Sequence, residues 1–214
     1  MFDELDAAVS WHPYDLTQVR TKTSLANVQV LYKFDGVAAH AGAKPHMGRS
    51  ALDAVELMNV GVNFLREHVV QEARMHYAIT DAGGFSSNVV QPHAEVLYLL
   101  RAPKGTQVQD IFERVNMIAQ GAALMTQTKM QYDFIKGCSD TVLNNAMQMR
   151  LYEVMQQIET PKMTEEEIAY ARELTEKSMM SFPDIDLKHP IHSELSVYHN
   201  GDVELANAST DVGD

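Results

Sequence analysis

Apolar and polar residues alternate from Val28 to Asp35, with Val28, Val30, Tyr32 and Phe34 set against Gln29, Lys33 and Asp35. A period of two predicts a strand with one buried face. After Ser50 the period lengthens: Ala51, Val55, Met58, Val62 and Leu65 share one helical stripe running to about Glu67, and Ser50 stands where it can cap the first turn. Alternation returns at Met75, Tyr77 and Ile79, set against Arg74, His76 and Thr80, and again from about Ala94 to Arg101. The Gly83-Gly84 turn between these two segments predicts an antiparallel pair. Pro103 and Gly105 end the run, Thr106 and Gln109 have capping-box spacing, and Val108, Ile111, Val115, Ile118 and Ala122 form a second helical stripe. A last strand, about Lys129 to Lys136, carries Met130, Tyr132 and Phe134 on one face.

The order β-α-β-β-α-β over residues 22–138 predicts an α+β, ferredoxin-like domain, two helices on a four-stranded antiparallel sheet. On either side the pattern differs. Phe2, Leu5, Ala8 and Val9 have helical spacing that Trp11-His12-Pro13 breaks, and a helix of about two turns is not stable alone. Beyond Gly137, Leu143, Met147, Leu151, Val154 and Ile158 make one stripe closed by Pro161. Thr164 with Glu167 caps a further helix whose inner face is Ile168, Ala171, Leu174 and Ser178. Residues 1–21 and 139–214 are therefore expected to be partial α/β segments of a second domain, the latter mainly helical.

Composition narrows the function classes. A formal charge of −12 argues against a nucleic-acid partner, which needs basic surface to neutralise phosphates. The single cysteine, Cys138, excludes an internal disulfide and a multi-cysteine zinc site. No apolar run approaches the roughly 18 to 20 residues that span a bilayer, and MFDELDAAVSWHP lacks the basic flank and apolar core of a signal peptide. The expectation is a cytoplasmic protein without a membrane partner.

Four residues are candidates for chemistry. In GVAAHAGAKPHMGRSAL, an apolar run stops at His40 and a loop with Gly42, Pro45 and Gly48 leads to the helix, a position suited to ligand contact. An ordinary polar residue in a strand-to-helix connection fits the segment equally well. Arg101, ending the strand EVLYLL, can clamp a carboxylate with two parallel hydrogen bonds, and Asn88 in SSNVVQP offers a donor and an acceptor. Taken singly they read as a snorkelling arginine and a turn asparagine. His12 is a metal ligand by type, but one imidazole does not hold an ion. His189 and His192 are separated by Pro190, which prevents a regular helix, and read as solvated loop residues.

Together, GVAAHAG, P-x-x-G-R-S-A-L-D-A, S-N-V-V-Q-P and the strand ending in Arg101 resemble the lid or dimerisation domain of the M20 family of dinuclear metallohydrolases. DELDAAVSWHP is similar to the end of that family's catalytic segment before the lid, and ASTDVGD to the start of its last third. The resemblance implies a metal-dependent amidohydrolase cleaving an amide bond to an amino acid, such as glutamate in an N-acyl or aminobenzoyl conjugate. It implies two divalent metal ions, zinc or manganese, with His12 as one ligand. His40 would reach the active site of a partner molecule in a homodimer and support the oxyanion, while Asn88 and Arg101 would hold the carboxylate end of a small amide substrate. The family's other metal ligands and its general base match nothing between Met1 and Asp214, so the chain is expected to be a fragment that binds no metal and is inactive alone. Two other readings stay open: an M20 dipeptidase, and a non-catalytic ferredoxin-like module for dimerisation or small-ligand binding.

Overall fold

The computed structural model describes residues 4–9, 11, 17–19, 23–158 and 163–178, with the backbone of Ile191–His192. They fall into two compact units. One takes residues up to 21 and those from 143 onward; the other begins at 22 and contains everything to 142.

The first unit holds a two-residue parallel pair, β1 (Thr17–Gln18) with β6 (Ile191–His192), and two helices, α3 (Asn145–Met155) and α4 (Glu165–Lys177). Residues 4–9 are not helical. Asn144 caps α3 through its side chain, which accepts from Met147 N–H at 3.1 Å, so Leu143 and Ile158 lie outside the helix. The Thr164–Glu167 capping box of α4 is present: Glu167 N–H donates to Thr164 Oγ1 at 3.2 Å, and Thr164 N–H to Glu167 Oε2 at 2.7 Å. These bonds hold the Glu167 carboxyl below the usual range. Pro161 and His189 lie outside the described residues.

In the second unit, β2 (Ala26–Asp35), α1 (Ala51–Leu65), β3 (Arg74–Asp81), β4 (His93–Ala102), α2 (Gly105–Thr126) and β5 (Lys129–Cys138) follow the predicted order. The antiparallel sheet runs β3-β4-β2-β5. This is the ferredoxin-like sandwich.

Period two puts Val28, Val30, Tyr32 and Phe34 of β2 beneath the helices with Ala94, Val96, Tyr98, Leu100 and Ala102 of β4, all buried. The helical stripes close the layer from above with Val55, Met58 and Val62 of α1 and Ile111, Val115 and Ala119 of α2. Two phenols lie within this apolar layer, each with a partner. Tyr98 donates to Asn59 Oδ1 and Tyr32 to Asn116 Oδ1, both at 2.6 Å, so neither hydroxyl is left with an unmet polar demand. Burial pushes both phenols far above their ordinary pKa.

Three details depart from expectation. The first strand stops at Asp35, five residues before His40. The second long helix starts at Gly105, so its cap is not Thr106 with Gln109. Instead Gln107 Oε1 accepts from Lys104 N–H at 3.0 Å, while Asp140 takes Gly105 N–H at 3.0 Å and the Lys104 ammonium at 2.8 Å. Those donors hold the Asp140 carboxyl below its usual range. Finally, β5 extends to Cys138 through an irregularity in the pairing beside Gln29/Val30, where Val30 pairs with Phe134 and Gln29 with Lys136. The extra residue on β5, Ile135, is a bulge.

Candidate functional site

The polypeptide leaves β2 at Asp35 and re-enters regular structure at α1, and the intervening loop is closed on itself. Val37 N–H donates to Arg49 O at 2.8 Å and Arg49 N–H to Val37 O at 2.9 Å. A Cβ at Gly36 would collide with the Arg49 carbonyl, so this approach requires glycine there. The Arg49 side chain ties the loop to the end of α2, its Nε donating to Gln127 Oε1 at 2.6 Å.

A second loop, between β3 and β4, lies alongside. It turns at Gly83, whose φ of +84° disfavours any side chain. Four backbone hydrogen bonds then run between the loops: Gly36 N–H to Pro92 O at 2.7 Å, Val90 N–H to Ala39 O at 2.9 Å, Ala41 N–H to Asn88 O at 2.8 Å, and Ala51 N–H to Gln91 O at 2.8 Å. Above the sheet, then, the chain continues the β2–β4 pairing as a narrow two-stranded extension, with His40 opposite Val89.

His40 and Asn88 are brought together on this extension, and both are exposed. The imidazole is oriented by its own loop. Its Nδ1 accepts from Gly42 N–H at 3.2 Å and from Ala43 N–H at 3.1 Å. A ring nitrogen that accepts carries no proton, so the proton of the neutral ring sits on Nε2, the atom turned away from those amides. Asn88 Oδ1 accepts from Ser86 Oγ at 2.6 Å, which orients the carboxamide so that its nitrogen is the group on offer. The site therefore presents two N–H donors on a braced scaffold. Fully exposed Phe85 lies three residues before Asn88 on the same loop.

Arg101 is elsewhere. It lies near the far end of β4, opposite Asn27 on β2 and Arg74 on β3. Eight residues separate it from His93, where the strand begins, a run of roughly 26 Å, and the His40 loop rises beyond that. A molecule the size of an amino-acid conjugate touches one end of this domain or the other, not both ends of one copy. Spacing in sequence carried no hint of this, because Asn88 and Arg101 are only thirteen residues apart. The contributions of Arg49 and Gly36 were equally hidden, since both act through backbone groups remote in sequence.

His12 lies outside the described residues. Among the described residues no three His, Cys, Asp or Glu side chains converge into a set that could hold a metal ion, so these residues by themselves do not fit the dinuclear centre that the resemblance implies. None of the described helices is long and apolar enough to cross a membrane.

Comparison with known proteins places this geometry in context. The family described as peptidase dimerisation domain matches residues 25–124. The chain is 49% identical over 174 residues to one of the two kinds of chain that make up p-aminobenzoyl-glutamate hydrolase of Escherichia coli K12, an alignment covering 81% of this chain and 36% of that protein. It is 30% identical over 125 residues to Xaa-Arg dipeptidase of Mus musculus, covering 58% and 28%. Among solved structures, the aminobenzoyl-glutamate utilization protein from Klebsiella pneumoniae superimposes with a TM-score of 0.55 at 25% identity, over 64% of this chain and 34% of that one. The chain spans about a third of the length of the relatives it matches.

Proposed function

Residues 25–124 are a peptidase dimerisation domain of the M20 type, and on that premise we propose that this chain serves an amidohydrolase as its lid, with His40 as an oxyanion donor to the active site of a second copy. The observation that carries the reading is the bracing of the His40 ring. Two backbone amides occupy Nδ1, so the Nε2–H bond is fixed as an outward donor. Amide hydrolysis passes through a tetrahedral intermediate whose oxygen becomes negative, and a donor held in place before the reaction stabilises that charge without reorganising. Asn88, on the adjoining strand of the same extension, adds a second N–H for the substrate's polar end.

The separation of Arg101 from His40 assigns them to different sites. In a pair of copies, His40 and Asn88 of one would face one substrate while Arg101 of the same copy would bind the carboxylate of the other, by two parallel hydrogen bonds. A dimer assembled through this domain suits such an arrangement. Among the described residues both sheet edges, β3 and β5, are open, and α1 exposes Leu57, Val60 and Phe64. The family's metal ions would supply an activated water, but the described residues contain no donor set for them, so the role assigned here is confined to orienting and stabilising the substrate. The expected substrate is an amide of an amino acid, with glutamate conjugates first because of the similarity to p-aminobenzoyl-glutamate hydrolase. Dipeptides are second because of the similarity to Xaa-Arg dipeptidase. The expected setting is the cytoplasm.

A chimera tests this. Residues 25–124 replace the matching segment of the E. coli relative, and hydrolysis of p-aminobenzoyl-glutamate and of dipeptides is compared with and without His40→Ala. Loss of about 10²- to 10³-fold in kcat at unchanged metal content is the expected result, the range for removing one oxyanion donor. An unchanged kcat would remove His40 from the chemistry. If the chimera associates only with a different kind of chain, the homodimer is wrong.

A further inference from the structure

The face of the sheet turned away from the helices carries a row of charges that the proposed chemistry does not use. At its centre is His93, the first residue of β4. Its Nδ1 lies 2.7 Å from Asp35 Oδ1 and its Nε2 lies 3.3 Å from Glu95 Oε1. Carboxylates accept, so both contacts are hydrogen bonds only when both ring nitrogens carry protons and His93 is an imidazolium. Other charges face the same row. On β2, Lys33 lies 3.9 Å from Glu95 and 2.7 Å from Asp133 of β5. Asp81 of β3 is opposite Glu95, and Lys129 of β5 is opposite Asp35. The first contacts alternate in sign: Asp35, His93, Glu95, Lys33, Asp133.

The placement of one pair in this row matters. Asp35 is the last residue of β2, immediately before the loop that carries His40, and His93 immediately follows the loop that carries Asn88. Asp35 and His93 are partners in the β2–β4 register, and the next backbone bond outward, Gly36 N–H to Pro92 O, is the first of those joining the two loops. The ion pair therefore sits at the root of the extension.

We propose that His93 is a positioning residue whose imidazolium clasps Asp35 and Glu95 at the root of the two-stranded extension, so that the alignment of His40 beside Asn88 depends on pH. Its catalytic meaning rests on the role proposed for His40, but the clasp itself is a statement about loop order. Asp35 above all, with Glu95, raises the His93 pKa in the folded protein. A group with a raised folded pKa contributes its full stabilisation below its unfolded pKa of about 6.5, and loses it as pH rises through the folded value. The extension is therefore most ordered in mild acid and loosens on the alkaline side.

Amide hydrogen exchange on this chain reads the effect without any assay of catalysis, so its outcome is separable from the fate of His40. The reporters are the Ala41 and Val90 amides, which donate the bonds between the loops, with rates corrected for the intrinsic pH dependence of exchange. Protection is expected to fall by about two- to fivefold as pH rises through the His93 titration, the range that partly exposed ion pairs produce. In His93→Gln, whose single amide group stays neutral, the profile should be flat. Ring-nitrogen NMR on the unmodified chain is the second measurement, and it should find His93 doubly protonated at about pH 6.5, the ordinary histidine value. A neutral His93 at that pH, or the same pH profile in wild type and His93→Gln, would overturn the clasp.

Discussion

Helices α1 and α2 and helices α3 and α4 carry the same kind of stripe in the sequence, but only the first two bury theirs. Val55, Met58 and Val62 of α1 and Ile111, Val115 and Ala119 of α2 are closed off from water against the sheet. In α3 and α4 no described residue is buried, and Val154, Tyr170 and Leu174 remain exposed. A helical period fixes which residues share a face. It does not supply a surface for that face to cover, and burial of apolar area, worth about 25 cal/mol per Å², needs both. What shapes α4 is local: the Thr164–Glu167 box, three glutamates in the first turn, and Lys177 paired with Glu173 at 2.6 Å.

Three substitutions put that contrast under load. The largest effect belongs to Leu100→Ala, at a fully buried position on a central strand, which should cost about 2 to 5 kcal/mol in a denaturant melt through lost burial and the cavity left behind. Next comes Gly36→Ala. The added methyl meets the Arg49 carbonyl, and the loss should be about 1 to 3 kcal/mol, accompanied by faster exchange of the Val37 and Arg49 amides. Smallest is Leu174→Ala, expected to stay within about 0.5 kcal/mol of wild type in the same melt, as surface substitutions do. A cost at Leu174 approaching that at Leu100 would show that α4 has a covering partner in solution, and the contrast between the helix pairs would collapse.

What the sequence disclosed follows the range of the forces involved. Alternation and helical period are local, and they located all four sheet strands and both core helices. The Ser50 cap was equally readable, because its acceptor serves Asp53 N–H three residues on. The cap of α2 was misassigned because half of it arrives from Asp140, 35 residues downstream of Gly105. The bulge at Ile135 was invisible, since an extra residue on one strand exists only relative to its neighbour. At the site, residue types and motifs nominated His40 and Asn88, and pairing of the loops put them together. The same pairing sends Arg101 to the opposite end, a distance set by strand register rather than by separation in sequence. Asp35 and His93 drew no attention as a pair, 58 residues apart and ordinary in type.

Asn27 on the first strand of the sheet lies opposite Cys138 on the last, and just outside them Thr23 Oγ1 donates to Thr141 O at 2.8 Å while Ser24 and Thr141 hydroxyls meet at 2.6 Å. The domain thus begins and ends at one place, fastened by short polar contacts. A body built this way behaves like a removable cassette. Splicing it into a host loop asks the host to open by only a few ångströms, and joining its ends directly would leave a circular chain in which new termini can be cut at an exposed turn such as Gly84. The same economy lets one sandwich be traded among otherwise different hosts without either partner having to refold.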